Sequence, residues 1–117
     1  MSEDFGATFA ELREIMLRAG AGMRVLKDDP GDLVLRTPEV DPKTGEPGWF
    51  GTVTIKKAYV AYHLMPLYTA PELASAMSPE LTRRRQGKTC FNFKKPDSVL
   101  FEELERITLA ANTANSV

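Results

Sequence analysis

Apolar residues recur at helical spacing at the two ends of this chain and alternate in the manner of strands between them. Phe5, Phe9, Leu12, Met16 and Ala19 stand three and four residues apart, with Glu11, Arg13, Glu14 and Arg18 between them, so the spacing predicts a helix with one face to a core. Thr8 followed by Glu11 offers a capping box and Ser2 an earlier start, while Gly20 and Gly22 close the helix. Residues 23–27 and 33–37 are β-prone runs around Asp28-Asp29-Pro30-Gly31-Asp32, which predicts a hairpin. Pro38, Pro42 and Pro47 with Gly45 and Gly48 erase both periods, so residues 37–48 read as an exposed loop, long enough to bind something.

Residues 49–55 and 58–65 carry the strongest strand signal, joined by Lys56-Lys57. Thr69-Ala-Pro-Glu72 and Ser78-Pro79-Glu80 each look like a helix start, which predicts two short helices or one broken one over residues 70–86, stopped by Gly87. Residues 89–93 alternate again, and Asp97 is placed to cap a last helix whose apolar face holds Val99, Leu100, Leu104, Ile107 and Ala111. The order α-β-β-β-β-α-β-α predicts an α+β fold: a mostly antiparallel five-stranded sheet packed against the N- and C-terminal helices. One domain over residues 1–117 is expected, frayed over 110–117.

Composition narrows the chemistry. The 117 residues are 43% hydrophobic and include one Cys and one His, which rules out an internal disulfide and a Cys/His zinc site. No apolar run approaches the ~20 residues of a membrane span, and the start lacks the pattern of a signal peptide. A cytoplasmic protein without a cofactor is expected. The net charge of −1 hides an uneven distribution: residues 1–48 hold 6 basic and 10 acidic side chains, residues 49–96 hold 8 and 2, and residues 97–117 hold 1 and 4. A basic middle between acidic ends can attract anions although the whole is nearly neutral.

Strand parity sorts the central residues. Val53, Ile55, Val60, Tyr62, Leu64, Phe91 and Phe93, with Thr89, fall on one face; Thr52, Thr54, Lys56, Tyr59, His63, Cys90 and Asn92 fall on the other. That polar face is a candidate ligand site, although antiparallel sheets often leave one face to water. His63 and Cys90 resemble a base and a nucleophile but lack an orienting carboxylate, since Asp and Glu are absent from 47–71 and 81–96. Arg83, Arg84, Arg85 and Lys88, continued by Lys94 and Lys95, form an acid-free basic run suited to phosphate-like anions, or to pairing with the acidic terminal helices. A sequence pI of 5.8 and the lack of a stacking aromatic ladder argue against nucleic acid. Glu11 and Glu14, three apart on the first helix, and Glu102, Glu103 and Glu105, clustered on the last, offer surface carboxylates to which a hard cation could bind weakly. An open sheet edge, or the Trp49-Phe50 pair, offers a surface for a homodimer.

Trp49-Phe50-Gly51, Ile55-Lys56-Lys57 with Tyr59-Val60, Tyr62-His63-Leu64-Met65-Pro66, and above all Gln86-Gly87-Lys88-Thr89-Cys90-Phe91-Asn92-Phe93-Lys94 resemble the bacterial YdhG-like family of small α+β domains. The resemblance covers roughly residues 47–110. It implies the fold and, through a frataxin-like branch, iron delivery, for which no residue motif carries over. The expected function is thus a non-enzymatic binding protein for an anionic small ligand or a protein partner, with intracellular iron or divalent-metal delivery as the alternative.

Overall fold

The computed structural model describes residues 5–40, 45, 47–69, 71–75, 77–87 and 89–115. Along them run helix α1 (Phe5–Ala19), strands β1 (Arg24–Asp29), β2 (Asp32–Val40), β3 (Pro47–Ile55) and β4 (Val60–Leu64), and the one-turn helix α2 (Pro66–Thr69). A 3-10 turn (Pro71–Ala74), helix α3 (Pro79–Arg84), strands β5 (Arg85–Gln86) and β6 (Cys90–Phe93) and helix α4 (Ser98–Asn115) follow. The strands form one antiparallel sheet in the order β1-β2-β3-β4-β6-β5. The two terminal helices cover one of its faces. This is the expected α+β class, with six strands in place of five.

The additional strand is β5. Arg and Gln favour helices, so residues 85 and 86 read as the end of one, yet Arg85 is extended (φ −79°, ψ 127°) and pairs with Phe91, while Gln86 pairs with Cys90. Gly87 makes this possible: its φ of +74° supplies the left-handed residue that turns the chain back into β6. The pairing satisfies backbone groups that β6 would otherwise present as an open edge.

The prolines between 37 and 48 likewise conceal strand. β2 continues to Val40, which pairs with Pro47, and Gly48 N–H donates to the buried Thr37 Oγ1 at 3.1 Å. Pro38 falls where the β2–β3 register slips and Pro47 opens its strand, two positions at which a missing N–H is tolerated. Of the expected 37–48 loop, residues 37–40 and 47–48 are thus strand, and residues 41–44 and 46 lie outside the described residues.

Parity places the core. Val53, Tyr62, Leu64, Phe91 and Phe93 are buried against Leu12, Met16, Leu104 and Ile107, with Ile55 partly buried beside them. Gly51 lets α1 sit close, because a Cβ there would lie 2.5 Å from Met16 Cε and 2.9 Å from the His63 carbonyl oxygen. Tyr62 is fully buried; its hydroxyl donates at 2.6 Å to Thr108 Oγ1, whose own proton goes to the Leu104 carbonyl at 2.8 Å.

Four details differ from expectation. Thr8 lies inside α1, fully buried, and not at its cap. Val99 is 71% exposed, and the core position goes to Phe101, whose ring meets Phe93 edge-on at 5.0 Å. Phe50 is fully buried, so only Trp49 of that pair reaches the surface, under the Arg36 guanidinium at 3.6 Å. Where fraying was expected, α4 continues to Asn115, and Asn112 Nδ2 donates to the Ala19 and Ala21 carbonyls, closing the end of α1. The expected caps at Asp97 and Ser78 are formed, each side-chain oxygen accepting from the backbone N–H three residues on, in Leu100 and Leu81. The Thr69 side chain and residue 70 lie outside the described residues.

Candidate functional site

The face of the sheet away from the helices carries two cross-strand rows. Thr52 stands opposite His63 and His63 opposite Cys90; Thr54 stands opposite Ala61 and Ala61 opposite Asn92. Thr52, Thr54, His63, Cys90 and Asn92 are all partly exposed, so this face is polar and reaches solvent.

The rows do not add up to a catalytic pair. Burial pulls the His63 imidazole below its usual range, which favours the neutral ring. Its Nε2 is hydrogen-bonded to Thr89 Oγ1, so the buried Thr89 turns its hydroxyl toward His63 instead of joining Phe91 and Phe93. Burial also pushes the Cys90 thiol up, against a weaker opposing pull from Lys56, and the thiol donates to Asn92 Oδ1 at 3.5 Å. A thiol held protonated is a poor nucleophile. Thr54 Oγ1 donates to Asp32 Oδ1 at 3.3 Å, a link across two strands of the sheet.

The charged residues divide differently. Two carboxylates beside the terminal helices are engaged by arginines of α1: Asp28 of β1 takes a two-pronged bond from Arg13 (2.6 and 2.8 Å) and Glu105 of α4 one from Arg18 (2.9 and 3.0 Å). Each arginine holds its carboxylate below the usual range. Glu103 accepts from the Ser78 N–H and hydroxyl at 2.6 and 2.7 Å, tying α4 to the start of α3. Among the described residues, Arg83, Arg84, Lys94 and Lys95 make no ion pair.

These cations meet where the end of α3 passes β5 and β6. A depression of about 410 Å³ is lined by Tyr59, Arg83, Arg84, Gln86, Asn92 and Lys94. Arg84 and Lys94 also line a neighbouring one of about 290 Å³ with Phe93, Lys95 and Asp97. A larger cleft of about 620 Å³, between α3 and the start of α4, sets Glu80, Asp97 and Glu103 against Arg83 and Arg84, so it carries no net attraction for an anion. The 410 Å³ depression has three cations and no carboxylate, with a phenol and two amides as hydrogen-bonding groups. The C-terminal carbonyls of α3 oppose an anion there, but the helix is only six residues long and the side-chain cations outweigh it.

The structure therefore brings together Tyr59, Arg84 and Asn92 of the expected residues. Thr52, Thr54, His63 and Cys90 lie on the same open face outside this lining, Lys56 leads out of β3 toward Tyr59, and Lys88 lies outside the described residues. Gln86 was missed. It faces the same side as Cys90 once the Gly87 turn is read as a hairpin, and the Arg-Gln-Gly sequence was the available signal. Arg83 and Lys94 were legible in the basic run.

Glu11 and Glu14 are exposed on α1, with Glu14 3.4 Å from Arg13. Among the described residues no group of three or more His, Cys, Asp or Glu side chains is placed to hold a metal ion, and no helix is long and apolar enough to cross a membrane. No family model, curated protein or solved structure matches the chain.

Proposed function

We propose that this chain is a non-enzymatic binding protein of the YdhG-like kind, acting in the cytoplasm, whose ligand is a small anion held between α3 and β6. One observation carries the reading: of the three depressions that these cations line, one holds Arg83, Arg84 and Lys94 together with no carboxylate in its lining, and none of the three makes an ion pair among the described residues. Unpaired cations so arranged repel one another, and a multivalent oxyanion relieves that repulsion while using the planar fork of arginine. Asn92, Gln86 and the Tyr59 hydroxyl supply neutral hydrogen bonds that orient the ligand without adding charge.

Thermal-shift and calorimetric titrations with inorganic phosphate, pyrophosphate and ATP test the proposal. Stabilisation should grow with anion charge and fall steeply between about 0.01 M and 1 M salt, as the screening length shrinks from ~30 to ~3 Å. Arg84→Ala and Lys94→Ala should each abolish most of the shift while leaving the unliganded melting temperature nearly unchanged. Arg24→Ala, on the far edge of the sheet, should keep the shift. No shift with any anion, or a shift that survives both site substitutions, would refute the reading.

A further inference from the structure

The two edges of the sheet are unequal. One ends in β5, two residues long; the other ends in β1, six residues, every one exposed and hydrogen-bonded as a strand to β2 alone. Val25 and Leu26 of β1 are 52% and 62% exposed. A long edge with apolar side chains is a template for another strand, and proteins normally blunt it with charges or a bulge. β1 has both, and they are arranged in a way that admits one particular partner.

The ladder to β2 slips at Leu26: Val25 stands opposite Leu35, and Lys27 opposite Val34. That additional residue changes the parity of the strand. Arg24 and Asp29, five positions apart, would fall on opposite faces of a regular strand, but here both face the open side, opposite Arg36 and Asp32 respectively. Arg24 thus faces Arg36 within its own chain, a disfavoured cross-strand arrangement, while at the other end Lys27 sits between Asp29 and Asp32, 3.9 and 2.7 Å away. The charge order along β1, cationic at Arg24 and anionic at Asp28 and Asp29, is complementary to its own reverse.

We propose that β1 pairs antiparallel with β1 of a second copy of this chain about a two-fold axis between Leu26 and Lys27, joining the two sheets into one. Arg24 of each copy then meets Asp29 of the other on the same face, two opposite-charge pairs that each set a carboxylate beside an Arg24–Arg36 contact. Val25 comes to lie across from Asp28, which Arg13 already neutralises. A strand with another charge order meets Lys27 and the bulge without these pairs, so the same features exclude unrelated partners. The anion depression lies by β4, β6 and β5, at the other end of the strand order, so the dimer leaves it open and the two proposals fail independently.

Sedimentation equilibrium from micromolar to millimolar chain tests this. A reversible dimer is expected, and Asp29→Arg, which sets Arg24 against a new arginine, should weaken it about tenfold or more; Arg24→Asp should do the same. The double exchange Arg24→Asp/Asp29→Arg restores opposite charges and should recover dimerisation to within about threefold. Circular dichroism checks that each variant folds, and amide exchange of residues 24–29 should slow as wild-type concentration rises. A monomer throughout the range overturns the proposal. So does a dimer indifferent to Asp29→Arg, or one that the double exchange does not rescue.

Discussion

The two faces of this sheet are built by the same strands yet obey different constraints. Toward the helices, Val53, Tyr62, Leu64, Phe91 and Phe93 belong to one buried cluster with α1 and α4. One residue along each strand, Thr52, Thr54, His63, Cys90 and Asn92 are only partly covered, and beyond them lies the cation-lined depression. Burial without remaining polar demand fixes the first face, because every methylene removed from a dense core loses both transfer energy and contacts. The second face gains little stability from any one side chain, which leaves those residues open to selection for what they bind.

The largest expected effect is the asymmetry itself. Phe91→Ala should destabilise by roughly 3–5 kcal/mol in urea unfolding, whereas Asn92→Ala, the next residue on the same strand, should stay within about 0.5 kcal/mol. Comparable losses would mean that both faces are core. Tyr62→Phe is a finer probe of the covered face: it removes one buried hydrogen bond while Thr108 keeps its link to Leu104, and should cost about 1 kcal/mol.

The smallest effect is on the open face and depends on pH. His63 has its folded pKa depressed by burial, so the unfolded chain takes up the proton first as pH falls. The stability from neutral His63 is fully present above about pH 6.5, the usual unfolded value, and is lost progressively as pH drops below it. Because His63 is the chain's one histidine, its ring resonances in NMR report the titration directly, and His63→Gln should flatten this part of the stability profile. A ring that titrates above the usual range would show instead that it faces an acidic partner.

Much of the covered face was legible because alternation and helical spacing are local: Phe91 and Phe93 had to share a side, and Leu104 and Ile107 a stripe. Val99 misled because it is one residue from Leu100 at the first turn of α4, where the chain is still leaving the sheet and Phe101 reaches Phe93 instead. Arg85 and Gln86 were illegible as strand, since two residues carry no period and only their pairing with Phe91 and Cys90 defines them. The prolines at 38 and 47 hid the outer halves of β2 and β3 because their tolerance depends on register, which no single segment encodes. The basic run was visible, but its meeting with Tyr59 and Asn92 required β6 to insert between β4 and β5, a choice made by tertiary packing.

The most direct test of the anion site is a two-dimensional amide NMR titration with pyrophosphate at low salt. Shift changes should concentrate at Tyr59, residues 83–86 and residues 92–95, leave Arg24, Arg36 and Trp49 unmoved, and disappear in Arg84→Ala. Changes centred on the Arg24–Arg36 edge, changes spread evenly over all exposed cations, or none at all would contradict the account.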